Sequence, residues 1–162
     1  MQHQTDPATS LSAALGRIPS GLFILTFRHG KEETAMLASW VQQCAFEPPS
    51  VVFAVNVKRY VLSWLKPGAA VTVNVLAEGQ KDLMSHFGKG FEPGEEAYNG
   101  IAIEHHGDGA ACLKAAHAVL ECRVESSHPA GDHVLVVATV VAGRQQTDGR
   151  PGVHVRRSGS HY

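Results

Sequence analysis

The chain has 162 residues, with 14 Lys and Arg against 15 Asp and Glu, for a net charge of −1. That length suits one domain able to bury a proper core, and 44% apolar with 18% charged residues is an ordinary soluble composition. The balanced charge argues against duplex nucleic acid or an anionic membrane as the main partner. The longest apolar stretches, residues 21–27 and 134–142, fall far short of the ~20 residues that span a bilayer. Residues 1–10 are polar, without a basic-then-apolar leader, so a cytoplasmic protein with a flexible tail over 1–10 and one domain over 11–162 is expected.

Ser10 is placed to cap a short helix over residues 11–15, with Gly16 as its stop. Residues 21–27, rich in β-branched and aromatic side chains, read as a strand closed by a hairpin turn at 28–31, and residues 34–41 as its return. Pro48-Pro49 punctuates before an apolar strand over 50–57. Residues 60–65 read as a short helix with Val61, Trp64 and Leu65 on one face, stopped by Pro67-Gly68. Over 70–76, valines alternate with Thr72 and Asn74, the pattern of a half-buried strand. A helix is expected over 78–87, with Leu83 and Phe87 one turn apart, then an irregular loop over 88–100. Strands follow over 118–126 and 134–142, separated by a turn at 129–132, and a last one near 153–157. Six or seven strands joined by turns, with no regular crossover helices, predict a mainly β fold: a barrel with short flanking helices.

The sequence excludes several chemistries. It has no G-x-S-x-G elbow, no Walker spacing around Gly30-Lys31 or Gly88-Lys89, and no G-x-G-x-x-G opening a helix. Ten histidines are present, but none in H-E-x-x-H or H-x₃-H spacing; they read as scattered polar residues, and no metal site is expected. Cys44, Cys112 and Cys122 form no C-x-x-C pair, and they read as buried or half-buried free thiols.

What remains is a distributed pattern. Met36-Leu37-Ala38-Ser39-Trp40 ends a strand with small residues, which let a flat ligand approach the backbone, and then a hydroxyl and an aromatic. Lys58 and Arg59 follow the next strand, as cations suited to a phosphate. Read alone, these are also an ordinary strand end and a solvated turn.

Taken in order, Ala38-Ser39-Trp40, Pro48-Pro49, Lys58-Arg59, Asn74-Val75-Leu76, His86-Phe87 and Gly131-Asp132-His133 resemble the flavin reductase-like family of FMN-binding split β-barrels. The likeness runs to the C-terminal reductase domain of flavodiiron-type diflavin flavoproteins, through M-L-A-S-W-V from Met36, N-V-L-A-E-G from Asn74 and the ending from His154. It covers residues 11–162.

The resemblance implies a split-barrel homodimer that binds FMN near the subunit interface and takes hydride from NAD(P)H. Met36, Leu37, Ala38, Ser39, Trp40, Gln43, Cys44 and Ala45 would line the flavin, with Lys58 and Arg59 by its phosphate. Phe87, Lys89 and Phe91 would close over the site. His133 would orient the nicotinamide or the flavin edge, and Tyr162 would reach the same region. Arg156-Arg157 is the one candidate for a 2′-phosphate pocket. Electrons would go to free flavin, oxygen or a separate redox partner protein. The family often carries hydroxyl residues where this chain has Leu37, Gln42 and Ala45. Those exchanges suit an alternative, a non-catalytic FMN electron relay; a haem-binding split barrel using the surplus histidines is a third reading.

Overall fold

The structure, a computed structural model, describes residues 7–161. Helix α1 (Pro7–Leu15) leads into a short strand β1 (Ser20–Gly21), then β2 (Phe23–His29), β3 (Glu32–Ala38), β4 (Val41–Phe46) and β5 (Pro49–Asn56). A 3₁₀ turn at Tyr60–Ser63 precedes β6 (Ala70–Val75) and helix α2 (Lys81–Gly88). The remaining strands are β7 (Ile103–Glu104), β8 (Cys112–Leu113), β9 (Ala118–Ala130), β10 (His133–Gln145) and β11 (Val153–His154). Among the described residues, no helix is long and apolar enough to cross a membrane.

Seven strands form one antiparallel sheet in the order β3-β2-β6-β9-β10-β5-β4. Its two edges, β3 and β4, are separated in sequence only by Ser39 and Trp40. The sheet must therefore curl until its edges meet at that corner, giving a barrel that is closed there and split between β3 and β4. Two tight hairpins set the register: His29 faces Glu32 and Ala130 faces His133. In each, the first loop residue is a glycine at φ 62°, Gly30 or Gly131, the conformation that a two-residue turn with right-handed strand twist demands.

The barrel interior holds Leu25, Phe27, Val51, Phe53, Val55, Val71, Val73, Val124 and Val136. A second core lies outside β2 and β6, where Ile24, Leu76, Phe87, Phe91, Leu113 and Val119 pack together. This second core corrects the half-buried reading of β6: Thr72 and Asn74 are fully buried, because residues 101–117 fold over the outer face. The hydroxyls of Thr26 and Thr72 donate to the carbonyls of Ala111 and Ala110. Asn74 donates to the Ile24 carbonyl at 3.0 Å and accepts the Leu113 N–H at 2.8 Å. Among the described residues, no buried side-chain N or O lacks a partner, so this polar wall is satisfied.

Other expectations shift at their edges. The helix expected at 11–15 begins at Pro7, since proline costs no hydrogen bond in a first turn; the rest of the expected tail lies outside the described residues. Helix α2 starts at Lys81, after Gly79 at φ 85°. The expected return strand over 34–41 ends at Ala38, and Val41 opens the unforeseen β4. Strand β4 is polar and exposed at Gln42, Gln43 and Cys44, and pairs with β5 through backbone, so no apolar alternation announced it. A bulge between Gln43 and Ala45 presents Cys44 to solvent, against the expectation of a covered thiol. Cys112 and Cys122 are buried and free; burial, aided by Glu121, pushes the Cys122 thiol up to about 12.

Candidate active site

A cleft of about 450 Å³ opens at the corner where the sheet edges meet. Its walls are the end of β3 with Ser39 and Trp40, then Ala54 and Asn56 on β5, with Met84, Phe87 and Gly88 of α2 opposite and His154 and Leu22 at one side. The short side chains of Ala38, Ser39 and Ala54 leave a slot bounded by the larger Met36, Leu37, Trp40 and Phe87. The sheet holds this corner in place: the Ala54 N–H donates to the Trp40 carbonyl at 3.1 Å, tying the β3–β4 crossing to β5.

Both expected cations stand in this cleft. Asn56 accepts the Lys58 N–H on its Oδ1 at 3.0 Å, and its carbonyl accepts the Arg59 N–H at 3.0 Å. This turn presents Lys58 and Arg59 to the cleft. Arg59 also borders a neighbouring cavity of about 590 Å³ lined by Lys89, Gly90, Phe91, Glu92, Glu95, Glu96 and Asn99. Gly90, at φ 74°, approaches so closely that a Cβ there would sit 3.1 Å from Arg59 Nη1. The loop expected over 88–100 is thus packed against the cation, with Phe91 buried and Lys89 Nζ 5.2 Å from the centre of its ring.

Trp40 forms one lip. The Arg156 guanidinium lies 5.0 Å from the centre of its ring, and the His133 ring lies 4.9 Å away, tilted by 53°. His133 is buried, and its Nδ1 donates to the Asp132 carboxylate at 2.7 Å. That hydrogen bond holds the Asp132 carboxyl below the usual carboxylate range. His117 is likewise buried, and His105 and His106 bond Glu33 and Glu121, so the histidines are less scattered than the sequence suggests.

Of the residues singled out from sequence, Met36, Leu37, Ala38, Ser39, Trp40, Lys58, Arg59 and Phe87 come together in the cleft. Lys89 and Phe91 line the adjoining cavity, and His133 reaches the site through Trp40. Gln43, Cys44 and Ala45 do not line the cleft within one chain; they lie along β4. Tyr162 lies outside the described residues. Leu22, Ala54, Asn56, Met84, Gly88 and His154 were missed. Only Asn56, two residues before Lys58 in an Asx-type turn, carried a local signal.

Residues 15–160 match the family described as the flavin reductase like domain. A diflavin flavoprotein A of Nostoc sp. is 41% identical over 161 residues, covering 98% of this chain and 28% of that protein. Diflavin flavoprotein A 1 of Synechocystis sp. is 38% identical, covering 95% and 27%. The chain thus spans little more than a quarter of these curated relatives. Among solved structures, the NADH:FAD oxidoreductase of Streptomyces globisporus superposes with a TM-score of 0.80 at 23% identity, covering 88% of this chain and 85% of that one. The same oxidoreductase solved with NAD and FAD fragments gives a TM-score of 0.78 at 22% identity over the same shares. With its curled seven-stranded sheet and a match running almost from end to end, this chain belongs to the flavin reductase-like domain family.

Proposed function

We propose that this chain is an FMN-binding flavin reductase that uses NADH or NADPH as electron donor and hands electrons to free flavin, oxygen or a separate redox protein. The observation that carries the reading is the lining of the cleft: small and apolar residues, among them Ala38, Ala54 and Phe87, share it with the two cations Lys58 and Arg59. Its volume of about 450 Å³ falls in the range of small-molecule sites. A flat tricyclic ring suits the slot over Ala38, Ser39 and Ala54, and a single phosphate suits the paired cations. The oxidoreductase complexed with NAD and FAD fragments supports the same ligand classes here.

When bound, the flavin supplies the chemistry, accepting hydride from the reduced nicotinamide and releasing electrons onward. The protein's residues bind and orient. The Ser39 hydroxyl, which lines the cleft, would offer a hydrogen bond to the polar edge of a bound ring. Trp40 and Phe87, which line the same cleft, would shield a bound ring from water. Trp40, braced by Arg156 and by His133, shapes the mouth through which a nicotinamide enters, and Asp132 fixes the imidazole tautomer by accepting from Nδ1. Charge near the slot comes from Lys58 and Arg59 and needs no catalytic acid or base.

The test compares flavins that differ only in phosphate. Wild-type protein should oxidise NADH or NADPH in the presence of FMN. Arg59→Ala should weaken FMN binding by about 10- to 100-fold, the effect of one charge-assisted contact, while leaving riboflavin binding nearly unchanged. Equal loss for both flavins would remove Arg59 from the phosphate, and absence of nucleotide oxidation with FMN would contradict the reductase.

A further inference from the structure

Three side chains from the β7–β8 loop, β8 and β9 converge on the outer wall of the barrel: His106, Cys112 and Glu121. Their ligand atoms all lie within 4.8 Å of one another. None of the three borders the large cleft. We propose that His106, Cys112 and Glu121 form a site for one divalent transition-metal ion of the zinc class, which clips the β7–β8 hairpin to β9.

The donor set is one imidazole nitrogen, one sulfur and one carboxylate oxygen, the mixed borderline-soft set that favours zinc over magnesium or calcium. Bonds of about 2.0–2.3 Å to a shared ion put ligand atoms roughly 3.2–3.8 Å apart. Here His106 Nδ1 is 2.7 Å from Glu121 Oε1 and 4.0 Å from Cys112 Sγ, so the present spacings bracket the required one. Three protein ligands leave a fourth position for water, and a cavity of about 130 Å³ bordered by His106, Gly109 and Glu121 opens beside them.

The surroundings resemble a supporting shell. A metal-binding histidine usually presents its other ring nitrogen to a carboxylate; His106 Nε2 lies 3.8 Å from Glu104 Oε1. Arg144 bonds Glu104 and stands 3.5 Å from Glu121 Oε1, so both carboxylates are held in place. Arg144 also lies 3.5 Å from His106 Nδ1. With the cysteine as thiolate, its proton released to solvent on coordination, two carboxylates and a thiolate balance the guanidinium and a divalent ion. Gly109 holds the hairpin loop against this group: a Cβ there would meet the His106 carbonyl at 3.0 Å and Glu121 Oε2 at 3.3 Å. The side chain of Glu121 is only 12% exposed and Cys112 is fully buried, while His106 at 45% faces solvent.

The test uses the full chain stripped with a chelator and titrated with Zn²⁺ or Co²⁺ alone. One equivalent of Zn²⁺ should bind and raise the melting temperature. Co²⁺ should produce a thiolate-to-metal charge-transfer band in the near ultraviolet. Cys112→Ser should abolish that band and the thermal gain. Glu121→Gln should keep the band and weaken binding more than about tenfold, which tests the site even where Cys112→Ser fails to fold. No stoichiometric binding would overturn the proposal. So would an adventitious ion only: binding that lacks the charge-transfer band and is unchanged in both variants, as expected if other histidines capture the metal.

Discussion

Asn74 joins three pieces of the fold through one amide: its own strand, the Ile24 carbonyl of β2 and the Leu113 N–H of β8. Because the side chain is fully buried, removing its polar atoms leaves that N–H without a partner in an apolar setting. Asn74→Leu, with the same number of side-chain heavy atoms, should cost at least about 1–3 kcal/mol in urea unfolding; a loss within about 0.5 kcal/mol would show that the segment over β6 is held by packing alone. In sequence, Thr72 and Asn74 alternate with valines as if they faced water. Nothing local announces that residues 101–117 return to cover them, so their burial was invisible while the strand itself was plain. His133 was likewise visible as a histidine after a turn, but its packing on Trp40 requires the β10–β5 register that sets His133 opposite Asn56.

At the scale of elements, β4 is the informative case. Its residues Gln42, Gln43 and Cys44 are exposed, Phe46 is 88% exposed, and among the described residues the strand has a neighbour on one side only, β5. An exposed edge of this kind invites pairing or packing with another chain. Gln43, Cys44 and Ala45, which the family resemblance assigns to the flavin, cannot serve the cleft of their own chain from this strand, but they are available to a second copy. The homodimer expected from the resemblance therefore gives β4 a use. Wild-type protein should sediment as two chains, and Phe46→Asp should shift it toward one. A wild-type monomer across micromolar concentrations would contradict this. The hairpins at Gly30 and Gly131 were legible because their turn chemistry is local; β4, β7 and β8 were not, because their ladders are long-range and their side-chain patterns carry no period.

For the whole molecule, balanced charge and abundant turns are what a curled sheet with one cleft bearing two cations needs. The corner itself arises from topology: only Ser39 and Trp40 separate the two sheet edges, so closing the barrel gathers β3, β5, the Lys58–Arg59 turn and α2 around one slot. The proposed reductase activity requires that this slot hold a flavin which reduced nicotinamide can reach. An anaerobic visible spectrum of the purified protein with one equivalent of FMN tests it most directly, recorded before and after one equivalent of NADH or NADPH. The expected result is a flavin spectrum perturbed by binding, followed by bleaching of the flavin band in proportion to nucleotide consumed. An unperturbed spectrum of free FMN, with no bleaching by either nucleotide, would contradict it.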